Sequence, residues 1–264
     1  MTTTAELPPE PKVRRRWIGW LIALGALVVL LVVGFFVGEN VARGYASDRI
    51  HNELVSAFDL EADHPMDIDL GGGSLLLQAA SGAIDEVDVA IDTVPLGDLT
   101  GDITLAATGI PLDTTKPVDT LAATATVDQK NVQQLRDYLS GVELDSITLG
   151  DGVIDVATTV DAVFISVPVS AEIEPSAQNG DILFTPKSVN VNGAVVSIDE
   201  ILAGPLASVA SKFLGAQSFC VAEYLPAAIT LDDVTVTSDD LVLSFTGDKV
   251  ALGGSGLSTK GTCG

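Results

Sequence analysis

The sequence predicts an α+β fold: a long curved antiparallel sheet of hairpins wrapped around amphipathic helices, preceded by one transmembrane helix. Three observations predict it. One long uncharged apolar run stands near the N-terminus. Most of the chain beyond that run alternates apolar with polar residues, broken by Gly, Asp, Asn and Ser. One pattern also occurs twice, as LDSITLGDGVIDV (Leu144–Val156) and LDDVTVTSDDLVL (Leu231–Leu243). Each copy opens Leu-Asp, alternates, breaks at a short turn and alternates again, which is the signature of a hairpin. Successive copies read as panels of one wall.

Composition agrees. Hydrophobic residues make up 47% but aromatics only 5%, so the interior is aliphatic and rich in strand formers. The formal charge of −23 argues against nucleic acid, whose phosphates are bound by clustered Lys and Arg. It also argues against a polybasic patch docking on anionic lipid. Solubility and mutual repulsion are its plainest consequences.

Residues 1–16, with PPEP and mixed charge, read as a short disordered cytoplasmic tail. Trp17 to Val37 follow without a charge, about 21 residues, enough to cross a bilayer core of ~30 Å. Lys12, Arg14, Arg15 and Arg16 precede this run, against Arg43 and Arg49 after it. The positive-inside rule then keeps the N-terminus in the cytoplasm and puts everything after Val37 outside a plasma membrane crossed once. Trp17 and Trp20 anchor the cytoplasmic end. The rival is a cleaved signal peptide, which needs a shorter apolar core and an A-x-A-like site. Gly44-Tyr45-Ala46 is a poor match to one.

The outer domain, 38–250, opens on a helix whose apolar stripe is Ala46, Ile50, Leu54 and Phe58. His51 on that helix reads as exposed, and His64 precedes Pro65 in a loop. GGGS at 71–74 reads as a flexible turn. Leu75, Leu76 and Leu77 behind it are too apolar for an exposed loop and are candidates to gate or line one end of an interior. Strand pairs come next, through Val87, Val89 and Ile91, then Ile103, Leu105 and Ala107. A second helix starts at Asp128 as N-cap, carries the stripe Val132, Leu135 and Leu139, and ends before Gly141. Asn192-Gly193 between valine-rich arms marks another hairpin. A third helix aligns Leu202, Leu206, Val209 and Phe213, with Pro205 kinking it or marking its true start. Residues 251–264 form a Gly/Ser-rich tail. Cys220 and Cys263 both follow the span and are even in number, so an oxidising compartment pairs them. Closing that loop of about 44 residues contributes about 4 kcal/mol in the chain-entropy model.

Four stretches resemble one family. LLLQAASGAIDEVDVAIDTVPLGDL, ATATVDQKNVQQLRDYL with LDSITLGDG, LFTPKSVNVNGAVVSI and LPAAITLDDVTVTSDDLVLSFTGD resemble, in pattern and order, the LmeA-type phospholipid-binding family. The resemblance covers roughly residues 45–250. It implies an actinobacterial envelope protein with a tubular lipid-binding fold, a curved sheet around a helix and an apolar channel. It offers no catalytic residues, and the loops here are more acidic than that family leads one to expect.

No G-x-S-x-G elbow, P-loop, dinucleotide fingerprint or H-E-x-x-H occurs, so no enzyme is expected. No cofactor is implied. Asp67 with Asp69, and Asp239 with Asp240, lack the spacing of a calcium loop and read as solvated turns. The expected function is a membrane-anchored extracytoplasmic carrier or chaperone of phospholipid or another envelope lipid. Its candidate lining is Leu75, Leu76, Leu77, Val132, Leu135, Leu139, Leu202 and Leu206. The alternative is a non-catalytic envelope scaffold in which the same residues fill a closed core.

Overall fold

A computed structural model describes residues 14–96, 99–134, 144–162, 165–196, 198–203, 217–253 and 259–263. Its helices are α1 (Arg14–Phe58), α2 (Leu75–Ser81), α3 (Gln129–Val132) and α4 (Ile198–Ala203). The first strands are β1 (Met66–Asp69), β2 (Ala83–Leu96), β3 (Leu99–Pro111) and β4 (Thr120–Asp128). Next come β5 (Ser146–Leu149), β6 (Ile154–Ala162), β7 (Ile165–Gln178), β8 (Asp181–Val191) and β9 (Ala194–Val196). The last are β10 (Gln217–Cys220), β11 (Ile229–Val236) and β12 (Asp240–Gly247). Many antiparallel strands, few helices and one long apolar N-terminal helix make the class α+β, as the alternation predicts.

The strands divide between two sheets. One runs β1-β2-β3-β4-β12-β11 and the other β10-β8-β7-β6-β5, with β9 on β8. The repeated sequences become two hairpins, β5–β6 and β11–β12, one at an edge of each sheet. They meet: Gly152 in the β5–β6 turn donates its N–H to the carbonyl of Val236 on β11 at 3.0 Å. Around that contact Val127, Val132, Ile147, Leu149 and Val236 form one buried cluster drawn from both sheets. Gln129 adds a polar fastening, donating from Nε2 to Ile147 O at 3.0 Å while its Oε1 accepts from Leu149 N–H. Repetition here makes two matching edges of two sheets rather than panels of one.

The strand pattern is not a pure alternation. On β2 the inward residues are Val89, Ile91, then Val94, and the register slips between Ile91 and Val94. A bulge inserts one residue there, so that the apolar side returns to the core. Thr93 within it has φ 60°, and its N–H is held by the Asp102 carboxylate at 2.9 Å. Strand β11 repeats the device between Leu231 and Asp233, and Val234 and Val236 then face inward.

Sequence periodicity reads a membrane-type helix and a separate amphipathic helix. The structure joins them into the 45-residue α1, about 67 Å long if straight. Nothing in GENVARGY breaks the backbone, because it holds no proline, and Glu39 pairs with Arg43 one turn later at 2.9 Å. The early part exposes its apolar side chains; Leu30 is 69% exposed. The final turns seat Ile50, Leu54 and Phe58 on Val89, Ile91, Val94 and Ile103. His51 corrects its sequence reading: half-buried, its Nε2 lies 3.0 Å from His64 O. His64 in turn places Nε2 2.8 Å from Asp92 O beside the β2 bulge.

The GGGS segment is likewise more than a flexible turn. Ser74 is the N-cap of α2, and Gly82 ends that helix in the left-handed region at φ 94°. The Glu39 carboxylate accepts from Leu75 N–H at 2.6 Å, Ser74 Oγ at 2.8 Å and Leu76 N–H at 3.2 Å. Arg43 donates to Gly71 O at 3.3 Å and to Gly73 O. The first N–H groups of α2 thus find an acceptor on α1 rather than water. The Leu75 N–H, followed by the Ser74 hydroxyl, the Leu76 N–H and Arg43, lowers the Glu39 carboxyl to about 2.

At the far end Cys220 and Cys263 are disulfide-bonded, with Cα atoms 5.8 Å apart. Gly261 N–H donates to Leu225 O at 3.0 Å, so the chain near the bond is also pinned by its backbone.

Two substitutions probe these fastenings. Replacing Gln129 by Ala strips both contacts from β5 and leaves its backbone groups unpaired, costing about 1–3 kcal/mol in denaturant unfolding. Glu39→Gln lowers the melting temperature at neutral pH. Because the folded carboxyl lies near 2 against an ordinary 4.5, the contribution is complete above the ordinary value and lost as pH falls toward 2. The gap between wild type and variant therefore closes over that range.

Candidate functional site

The geometry that bears on an apolar ligand is the inner face of the first sheet. Directly opposed residues in antiparallel strands point to the same side. One row across all six strands therefore reads Met66, Ile91, Ile103, Ala125, Leu243 and Val234. The next reads Ile68, Val89, Leu105, Ala123, Phe245 and Leu231. Neither row contains a charge or a hydroxyl. Helix α1 covers them over β1–β3 with Ile50, Leu54 and Phe58. Further along, Ala123, Leu243 and Phe245 are only half-buried. In the same rows Ala125, Leu231 and Val234 are buried, so the accessible apolar surface there is that of Ala123, Leu243 and Phe245.

The opposite face is polar. Asp67, Ala90, Thr104, Thr124 and Ser244 form one of its rows. A depression of about 340 Å³ lies here, lined by Asp67, Asp69 and Asp88, by Thr104 and Thr124, and by Val89, Ala90, Leu105, Ala106 and Ala122. Three carboxylates repel a phosphate headgroup, and threonine hydroxyls do not solvate an acyl chain. The depression is therefore the wrong chemistry for a phosphate headgroup. The second sheet repeats the division: Ile147, Val156, Ala171 and Val189 share one side, while Asp155 stands opposite Glu172 on the other. Burial, and then that neighbouring charge, raise the Asp155 carboxyl above its ordinary value.

The predicted lining residues fall at two ends of the first sheet. Helix α2 precedes the start of β2, and α3 follows the end of β4. Because β2, β3 and β4 pair antiparallel in sequence, these positions lie at opposite ends. Leu75 is buried, Leu76 half-buried and Leu77 65% exposed. Val132 is 1% exposed within the cluster that joins the two sheets. Asp128 caps α3 as predicted, its carboxylate accepting from Asn131 N–H at 2.7 Å. Leu135, Leu139 and Leu206 lie outside the described residues. Leu202 belongs to α4, and its side chain lies outside them too. Ala123, Leu243 and Phe245 were absent from the predicted lining. Their signal was present as alternation in LAATAT and LVLSF, which by itself marks a strand face and not how far a helix covers it.

Among the described residues, one group has metal-binding proximity: Asp181, Cys220 and Cys263. Its two sulfurs are bonded to each other and are not available as thiolate ligands. The histidines are engaged with backbone carbonyls near the end of α1.

No curated protein and no solved structure matches the chain. A family model does, that of the LmeA-like phospholipid-binding proteins, over residues 37–246. That stretch takes in the second half of α1, both sheets and the whole aliphatic face. The chain belongs to the LmeA-like phospholipid-binding family.

Proposed function

We propose that this protein is a single-pass plasma-membrane protein that binds phospholipid outside the cytoplasm and carries or chaperones lipids of the cell envelope. The observation that carries this reading is where the family match begins. It starts at residue 37, the last of the uncharged run, so the apolar helix precedes the lipid-binding unit as a separate device. Helix α1 is long and apolar enough to cross a membrane, and its described apolar part has no protein cover. Residues 17–37 act as a signal-anchor behind the cytoplasmic tail 1–16. The arginines before the run orient it with the N-terminus inside.

The lipid site is the aliphatic face. Exposing an acyl chain of ~16 carbons to water costs about 13 kcal/mol, at ~0.8 kcal/mol per methylene. A carrier offsets that cost with aliphatic surface, and Ala123, Leu243 and Phe245 are the accessible part of the two uncharged rows. Carboxylates and hydroxyls on the outer face keep the protein soluble around the site.

A second reading has its own support. Ile91, Val94 and Val127 are 0–1% exposed, as in an ordinary core. A filled interior would make the protein an envelope scaffold with the same fold.

Native mass spectrometry of the full chain released from detergent, with lipid extraction, tests the choice. A carrier retains phospholipid at a defined stoichiometry. Ala123→Trp then sharpens the result. In an open groove the ring takes the place of acyl chain, so bound lipid falls while the melting temperature holds. In a filled core the same change overpacks and costs about 1–3 kcal/mol. A lipid-free protein destabilised by Ala123→Trp would establish the scaffold.

A further inference from the structure

Helix α2 has an exposed apolar side with no partner among the described residues. Leu77 is 65% exposed, and Ala79 and Ala80 beside it are exposed too. The helix carries no charged residue: it reads LLLQAAS. Its height relative to α1 is set by three contacts. A Cβ on Gly38 would lie 3.3 Å from Leu76 Cδ1, so Leu76 packs on the residue after Val37. Leu75 and Leu76 donate their N–H groups to Glu39. Arg43 reaches back to the loop that leads into α2. The start of α2 therefore stands level with the first turn after the uncharged run.

Leu112 extends the patch. Its N–H donates to Gly82 O at the end of α2 at 3.0 Å, and it is 52% exposed. Across the adjoining loop Gly253 N–H bonds Thr114 O at 2.7 Å, and neighbouring Leu252 is 40% exposed. In a chain of net charge −23, the two lysines of this rim each approach an aspartate, Lys116 to Asp113 and Lys249 to Asp248, both at 4.0 Å. On α1, Val41 and Tyr45 continue an outward stripe one and two turns past Val37, 67% and 73% exposed.

We propose that α2, with Leu77 and the adjoining Leu112, is a second membrane contact, lying in the headgroup layer of the bilayer that α1 crosses. This rests on the membrane-crossing reading of α1 above. A bilayer that covers residues 17–37 ends at the level where Leu76 meets Gly38, so the exposed leucines must meet its surface. Exposed leucines gain by burial at the boundary of headgroups and acyl chains, and Tyr45 suits the same layer. The contact seats one end of the aliphatic face against the lipid, and a phospholipid entering there need not pass through water.

Depth-dependent fluorescence quenching tests this on the full chain, in nanodiscs of phosphatidylcholine with phosphatidylglycerol. Single-cysteine variants carry an environment-sensitive probe at Leu77, Leu112, Leu30 or Val195, with the native disulfide kept oxidised. Leu30 reports the span. Val195, 75% exposed on β9 in the second sheet, reports solvent. The expected result is that spin-labelled phospholipid quenches the Leu77 and Leu112 probes several-fold more than the Val195 probe. Leu30 quenched with Leu77 no more quenched than Val195 overturns the contact but leaves the anchor standing, and makes the patch a surface for a protein. Leu30 unquenched overturns the anchor and the contact together.

Discussion

One helix has two differently placed parts, an apolar part without protein cover and an end packed on a sheet, and the rest of the N-terminal structure is arranged around that constraint. Helix α1 leaves its early apolar side chains without protein cover, then spends its last turns filling the face of a sheet. Between them the backbone must stay helical through a short polar stretch. Glu39 makes that stretch a joint. Its carboxylate closes the first N–H groups of α2 and pairs with Arg43, while Arg43 holds the loop before α2. A carboxylate at a helix N-terminus is also where the backbone dipoles favour negative charge. The loop, α2 and the start of β2 are thereby fixed to the helix just past its uncharged run.

The same economy governs the sheets. An acidic chain can stay soluble and still offer a surface for acyl chains only if charge and aliphatic surface never share a face. Strict alternation provides that separation, and the bulges on β2 and β11 preserve it where an extra residue would otherwise turn the strand over. The two rows that result are uncharged across six strands, and α1 packs on only part of them. The depression on the outer face is lined by three carboxylates, which repel a phosphate.

Much of this was legible in the sequence, because periodicity reports which side of an element is buried. The stripe Ile50, Leu54 and Phe58 and the Asn192-Gly193 turn, with φ 53° and 85°, stand where patterning puts them. The bulges were not read, because alternation by itself hides the one-residue slips between Ile91 and Val94 and between Leu231 and Asp233. What patterning does not carry is contact between distant residues. The bonds from Glu39 to Leu75 and from His51 to His64 join residues that no local rule connects. The partition of the hairpins between two sheets was hidden for the same reason. Each copy of the Leu-Asp repeat specifies its own turn and strands, and which hairpin it lies beside is decided by tertiary packing at Val132 and Gln129.

Helix α1 runs unbroken from the uncharged run to Phe58, and the central claim is that it rigidly couples the proposed anchor to the sheet proposed to bind lipid. Amide hydrogen exchange of the full chain in nanodiscs measures this directly across residues 38–50. Slow exchange continuing without a gap through Glu39, Arg43 and Ile50, lost together in Glu39→Gln, is the expected result. Fast exchange confined to Gly38–Tyr45 in the wild-type protein would contradict it, because the anchor and the sheet would then be joined by a hinge.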